Sequence, residues 1–354
     1  VAGNQEKAFT HAPVEAARAS GDRVRETEAL LELGRQHAAA GQSVEATRLF
    51  QQAVDVARAT GRRLLVARSL ANLGAQLHQS GGLDEALAVS RQAASEYRTA
   101  GNASGELKAV ANCAATAHAM GRLDEAASAA DDALALALAL DNTPLLVGLY
   151  GLSAEVMVAQ GRLDEARSAR RDAVDAARHL AEARQLIAAL DALGQLELAR
   201  GDADEAVKAF SEAAELQRGG QGGVVAHRTL MQLGLAYERT QRWAEADAAL
   251  GDALDGCRRA GDGEVEPLIL EHLASAKLHL GQLAVGGRLA DMAALSYRQR
   301  HDPRGAGRAL AILGHSHEAV GRYADARRAY EEALELLTAV DPAAAEALRT
   351  RLGR

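Results

Sequence analysis

The sequence predicts an all-α solenoid made of about eight copies of one helix pair, and three observations carry that prediction. Glycine recurs with a period of 40 residues at Gly41, Gly81, Gly121, Gly161, Gly201, Gly281 and Gly321, and Gln241 is the one break in the series. Twelve residues beyond each of these eight marks stands an alanine, from Ala53 and Ala93 through Ala133, Ala173, Ala213, Ala253 and Ala293 to Ala333. The composition is rich in Ala, Leu, Arg and Glu and holds only 5 prolines, which favours helix almost throughout. Repetition this regular means one supersecondary unit stacked along an axis, each copy touching its neighbours, in place of a globule around a single core.

Each unit reads as a helical hairpin. In the second, Leu70, Leu73, Gly74 and Leu77 recur at helical spacing, and Gly81-Gly82 stops that helix. Leu83-Asp84-Glu85-Ala86 opens the next, with carboxylates in the positive end of the helix dipole. Ala86, Val89, Ala93 and Ala94 then face the partner helix, and Gly101 ends the unit. Small residues explain how the hairpin closes. Gly34, Gly74, Gly194, Gly234 and Gly314 share one position of the first helix, where Ala114, Ala154 and Ala274 stand in the other copies. Ala46, Ala86, Ala126, Ala166, Ala206, Ala246, Gly286 and Ala326 share a position of the second. Helices that cross this closely leave no room beyond a methyl group.

The register divides the chain into three parts. Residues 1–23 are expected to be the second helix of a truncated preceding repeat, because Pro13 to Gly21 aligns with Ala53 to Gly61 and the chain begins with Val1. Residues 24–341 hold eight 40-residue units. Residues 342–354 are expected to form a capping helix whose Glu346, Arg349, Arg351 and Arg354 give the last repeat a polar outer face. Within the fifth unit, Arg218-Gly219-Gly220-Gln221-Gly222-Gly223 cannot hold helix cheaply, which makes it either a loose loop or a hinge between repeats.

Charge and motifs exclude several functions. A net charge of -8 argues against phosphate-backbone binding by this segment. No stretch approaches the ~20 apolar residues of a membrane span and no leader pattern is visible, so a cytoplasmic protein without membrane contact is expected. Cys113 and Cys257 read as small core residues. No phosphate-binding loop, zinc-protease motif or nucleophile elbow is present, and Gly314-His315-Ser316-His317-Glu318 lies inside a predicted helix. The pairs Asp84/Glu85, Asp124/Glu125 and Asp164/Glu165 repeat because each second helix needs a start. His78 and His118 sit one repeat apart, of order 10 Å, too far for one zinc ion. No enzyme, cofactor or metal is therefore expected.

Leu33-Gly34, Ala46, Phe50 and Ala53 reproduce the Leu-Gly, Ala, Phe, Ala spacing of the tetratricopeptide repeat, and seven further copies follow. The chain resembles the long-helix, 40-residue subclass of that family found in kinesin light chains, bacterial peptide-pheromone receptors and signal-transduction ATPases. Its "GRLDEA" and "HDPRGAGRALAILGHSHEAVGRYADARRAYEEAL" segments are similar to C-terminal sensor regions of actinobacterial ATPase-type transcriptional regulators. The resemblance implies a right-handed superhelical solenoid whose first helices line a concave groove.

In that register the groove presents Arg68, Asn72 and His78, then Lys108, Asn112 and His118, as a peptide-binding stretch. The resemblance implies that asparagine just before the Leu-Gly pair, Asn72 and less closely Asn112, bonds a peptide backbone, for which an amide that donates and accepts is suited. Arg68 and Lys108, one turn earlier, are placed to pair with carboxylates of the ligand. Gly148, Gly151, Val158 and Leu198 offer a mostly apolar stretch with little bulk, and Arg228, Met231 and Leu235 continue the groove. Two functions follow: a non-enzymatic interaction or sensor module that clasps a peptide or protein segment, including one of its own parent chain, or a small-molecule-sensing arm of a signal-transduction ATPase or transcriptional regulator.

Overall fold

The computed structural model describes residues 10–180, 182–220 and 226–353. Among these residues there are eighteen α-helices and no strand, divided between two compact units, residues 1–180 and 181–354. The chain is an all-α solenoid of paired helices. The first unit holds α1 (Ala12–Ser20), α2 (Arg23–Ala39), α3 (Ser43–Arg58), α4 (Arg63–Gln79), α5 (Leu83–Thr99), α6 (Ala103–Ala119), α7 (Leu123–Ala139), α8 (Thr143–Ala159) and α9 (Leu163–Leu180). The second holds α10 (Ala183–Arg200), α11 (Ala203–Arg218), α12 (His227–Arg239), α13 (Trp243–Ala260), α14 (Glu266–His279), α15 (Leu283–Gln299), α16 (Pro303–Ala319), α17 (Tyr323–Leu337) and α18 (Pro342–Leu352).

Within each unit every helix packs on its chain neighbours. The even-numbered helices also touch one another, α2 on α4, α4 on α6 and α6 on α8 in the first unit, and α10 on α12, α12 on α14 and α14 on α16 in the second. The odd-numbered helices of successive pairs make no comparable contact. A row whose members crowd together on one face and spread on the other is curved, and the even-numbered helices form its inner face.

The hairpins close on side chains of complementary size. A Cβ added to Gly34 would lie 2.6 Å from the Phe50 ring, one at Gly194 would lie 2.7 Å from Phe210, one at Gly234 would lie 2.5 Å from Leu250, and one at Gly314 would collide with the ring of Tyr330. Where the first helix carries alanine, as at Ala114 and Ala274, the same position of the second helix is Ala130 and Ala290, all fully buried. In these hairpins glycine meets a large residue and alanine meets alanine, whereas Gly74 meets Ser90, 2.5 Å from where its Cβ would stand. Ala46, Ala86, Ala126, Ala166, Ala206 and Ala246 are likewise fully buried.

The turns have their own logic. The recurring glycines from Gly41 to Gly321 take left-handed backbone, φ between 71° and 87°, and Gln241 takes the same conformation at φ 59°. L-residues with a side chain reach that region at a cost of about 1 kcal/mol or more. Four of the eight first helices are capped by Asx side chains, with Asp22, Asn102, Asn142 and Asp302 each accepting the backbone N–H three residues on. The acidic pairs of the second helices cap no N–H, but Asp84 accepts from Arg122 of the next hairpin at 2.7 Å and Asp124 from Gln160 at 3.1 Å. They tie neighbouring repeats together in addition to meeting the dipole. α11 ends at Arg218, Gly219 follows at its C-cap and Gly220 takes left-handed backbone at φ 72°, and the remainder of the glycine segment considered as loop or hinge, residues 221–223, lies outside the described residues. Cys113 and Cys257 are buried free thiols, and burial pushes that of Cys113 up to about 11. No described helix is long and apolar enough to cross a membrane.

Candidate functional site

On the inner face of the first unit a cavity of about 550 Å³ opens between α2, α4 and α6. Its wall includes Val24, Glu28, Leu64, Arg68, Tyr97 and Lys108, so it brings together two of the residues expected to bind peptide. Arg68 is exposed and reaches Glu28 only at 3.6 Å. Lys108 is exposed and forms no ion pair among the described residues. Tyr97 forms the buried end, packed so tightly on Gly105 that no Cβ would fit there, and burial raises its hydroxyl pKa.

The other four residues lie along the same face outside this cavity. Asn72 Nδ2 donates to the Arg68 carbonyl at 2.8 Å, one turn back in its own helix. Thr116 donates its hydroxyl hydrogen to the Asn112 carbonyl at 2.7 Å, which leaves its oxygen to accept from the Nδ1–H tautomer of His78 at 3.0 Å. His78 is therefore a brace between α4 and α6. Asn112 and His118 are half-buried on α6, at the register positions of Asn72 and His78.

The apolar groove residues fall in both units. In α8, Gly148 is exposed with open space where a Cβ would stand, Gly151 faces Arg170 Nη1 at 3.5 Å from such a Cβ, and Val158 is 42% exposed. In the second unit, Leu198 and Leu235 are half-buried against the core. Arg228 is held by Asp262 at 2.8 Å, and Met231 is a buried core residue.

A second cavity, of about 590 Å³, lies wholly within the second unit, between α12, α14, α16 and α18. Apolar side chains Ala311, Ile312, Leu337, Ala344 and Leu348 share its wall with Glu238, Arg239, Trp243, Glu271, His272, Arg308, His315 and Arg351. Arg308 donates through Nε and Nη2 to the buried Glu271, at 2.6 and 3.0 Å, and Tyr297 donates its hydroxyl to the same carboxylate at 2.8 Å. Arg351 donates through Nε and Nη2 to Glu318, at 3.0 and 2.6 Å, and Tyr330 adds its hydroxyl at 2.7 Å. These bonds hold the Glu318 carboxyl below the usual range, the Tyr330 hydroxyl first and Arg351 next. His272 Nδ1 meets Glu238 Oε2 at 2.6 Å. Burial, with Arg351 beside it, lowers the pKa of His315. Glu238, Arg239, His272 and His315 come from three different helices. Their convergence needs α18, whose Leu348 and Arg351 close the end of the cavity. Among the described residues no three His, Cys, Asp or Glu side chains are grouped as a metal site.

Two stretches, residues 228–260 and 307–336, match family profiles described as tetratricopeptide repeat. They coincide with the hairpins α12–α13 and α16–α17. Both hairpins are tetratricopeptide repeats. Solved structures of similar fold include a signal transduction ATPase with numerous domains that carries a tetratricopeptide repeat sensor, from Pyrococcus horikoshii, at 12% identity and TM-score 0.66, covering 96% of this chain and 54% of that one. The chain thus spans about half the length of that protein. The apo form of RapI matches at 12% identity and TM-score 0.68 over 88% of this chain and 86% of that one. The C-terminal part of a TPR repeat-containing protein from Cytophaga hutchinsonii matches at 12% identity and TM-score 0.57, covering 77% and 96%. No curated protein sequence matches. At this identity the likeness is one of fold. Tetratricopeptide repeats serve as interaction modules, which directs attention to what the inner faces present.

Proposed function

We propose that the chain is the non-enzymatic sensor module of a larger, cytoplasmic regulatory protein and holds an acidic peptide or protein segment along α4 and α6. The observation that carries this reading is the 550 Å³ cavity in which exposed Arg68 and unpaired Lys108 stand over the apolar Val24 and Leu64. Such a surface offers charge for a ligand's carboxylates and an apolar floor for one side chain. Asn72 and Asn112 follow one turn further on, with amide oxygens to accept from a peptide backbone. His78 orients α4 against α6, and His118 extends the polar row. The net charge of -8 speaks against nucleic acid and anionic membrane as partners.

The test is affinity capture with the parent protein, an Asn72→Ala/Asn112→Ala variant and a Lys108→Glu variant, followed by binding of the identified segment as a synthetic peptide. A partner lost in both variants, whose peptide binds the parent and weakens in salt, supports the groove. Partners retained equally by all three proteins refute it. A second reading, a small-molecule-sensing arm with its ligand beside α8, draws on the sensor of the Pyrococcus horikoshii ATPase and on the open space around Gly148. Gly151→Leu separates the two, blocking a ligand on α8 and sparing the peptide.

A further inference from the structure

We propose that the cavity between α12, α14, α16 and α18 is a binding site for a small apolar carboxylic acid, an aliphatic or aromatic body with one anionic head. It lies in the second unit and is independent of the peptide groove of the first.

Three arginines from three helices line this one cavity. Two are prepared in the same way. Arg308 is bound through Nε and Nη2 to Glu271, which also accepts the Tyr297 hydroxyl, and Arg351 is bound through Nε and Nη2 to Glu318, which also accepts the Tyr330 hydroxyl. In both, the glutamate and tyrosine fix the guanidinium plane and leave Nη1 out of the brace. Arg239, at the cavity's edge, is exposed and makes no ion pair among the described residues. The carboxylates that line the cavity stand behind these donors, the Glu271 side chain 5% exposed and Glu238 12%, against 38% for Arg308 and 46% for Arg351; Glu318, at 37%, is not part of the lining. A ligand entering the cavity meets N–H donors first, and the wall's carboxylates engage arginine, tyrosine or His272, with Glu238 Oε1 alone left unbonded and buried.

Buried ion pairs contribute little net stability, so a braced, half-exposed arginine in a cavity wall is poorly explained as a structural device. A guanidinium whose orientation is fixed in advance is well explained as an anion receptor, because its planar fork matches a carboxylate and little ordering remains for the ligand to impose. The floor of Ala311, Ile312 and Leu348 has no polar group to offer, which requires an apolar body behind the head. The volume of about 590 Å³ suits a small organic molecule.

The chain's single tryptophan reports on the site directly. Trp243 lines the cavity and stacks on His279 with ring centroids 3.7 Å apart. Titrating the full chain with 4-phenylbutyrate and with octanoate is expected to change its fluorescence saturably, whereas 4-phenylbutylamine does not. Arg239→Ala/Arg351→Ala, both on exposed or half-exposed side chains, is expected to raise Kd by about tenfold or more. Ala347→Phe, which narrows the exposed mouth without altering charge, is expected to do the same, and it carries the test should the arginine variant fail to fold by circular dichroism. The proposal is overturned if the amine binds as well as the acids, if either folded variant keeps the parent affinity, or if no acid saturates by about 10 mM. It is also overturned if a tetrapeptide with a free C-terminal leucine binds and neither small acid does, since the carboxylate then belongs to a peptide terminus.

Discussion

Replacing Gly194 with alanine isolates the interaction that sets the spacing of the hairpins. Its Cβ would stand 2.7 to 2.8 Å from three atoms of the Phe210 ring, a distance at which something must move. Phe210 is fully buried, so the ring has little room to yield. Overpacking of this kind costs roughly 1 to 3 kcal/mol. Against it, alanine in a helix interior is better than glycine by about 1 kcal/mol. The net effect of Gly194→Ala is therefore a loss of between about 0 and 2 kcal/mol, an unpromising number by itself. The cycle with Phe210→Ala resolves it. In that background, already weakened by about 3 to 5 kcal/mol, the clash is gone and Gly194→Ala recreates the alanine pair found naturally at Ala114 and Ala130. There it should stabilise by about 1 kcal/mol, giving a coupling of about 1 to 3 kcal/mol between the two sites. The assay is urea unfolding of the parent, both single variants and the double variant, monitored by circular dichroism and by hydrogen exchange of α10 and α11, since a repeat array need not unfold in one step. Gly148→Ala is the control: no atom lies within 4 Å of its Cβ, so it should stabilise without any partner. If Gly194→Ala has the same effect with and without the Phe210 ring, the size-matching account of the crossing is wrong.

Three further outcomes are expected. Gln241→Gly should raise stability by about 1 kcal/mol by relieving the left-handed residue at φ 59°, and a thermal midpoint unchanged from the parent would count against it. Ala93→Leu and Ala213→Leu, at fully buried positions, should each lower stability by roughly 1 to 3 kcal/mol, and melting like the parent would contradict the packing described. Burial raises the pKa of Asp191 to about 6, against which the hydrogen bond from Thr229 at 3.0 Å works. A folded-state pKa above the unfolded value of about 3.9 means that stability is fully present in acid and is lost as pH rises through the interval from about 4 to about 6. Asp191→Asn should then be indistinguishable from the parent near pH 4 and more stable above pH 6 by up to about 2 kcal/mol, after allowing for partial solvent screening, and a difference that does not vary with pH would exclude the titration.

The fold was legible because a solenoid writes its geometry forty residues at a time. Gly41 and its successors mark the left-handed residue after each first helix, and Ala53 and its successors mark the closest helix contact. Repetition multiplies weak signals until the register is unambiguous. The pairing of Gly34 with Phe50, Gly194 with Phe210 and Gly314 with Tyr330 was also in the sequence, sixteen residues apart, but reads as a rule only when the two positions are known to touch. Helix starts were half legible: carboxylates were assigned to the second helices, while the side-chain caps belong to the first, at Asp22, Asn102, Asn142 and Asp302.

The candidate sites were less legible for a physical reason. Periodicity states which face a residue shares, not which neighbour claims its hydrogen bonds. Asn72 and His78 have the right register for a ligand, yet one bonds its own helix and the other spans to Thr116, so the first cavity presents Lys108 and an Arg68 held only at 3.6 Å by Glu28. Met231 shows the same limit, since it is buried in the core while Glu271 and Ala311, at the same position of the next two repeats, line the second cavity. The second cavity lay further from view because it breaks the repeat. Arg308 and Glu271 stand 37 residues apart and Arg351 and Glu318 33, spacings that no single register offset covers. The two braces are alike in chemistry while differing in sequence interval. Convergence on one arrangement, an arginine fixed by a glutamate that a tyrosine fixes in turn, is difficult to attribute to copying of the repeat. Each brace is built from its own residues, and the second draws its arginine from α18, outside the 40-residue hairpins.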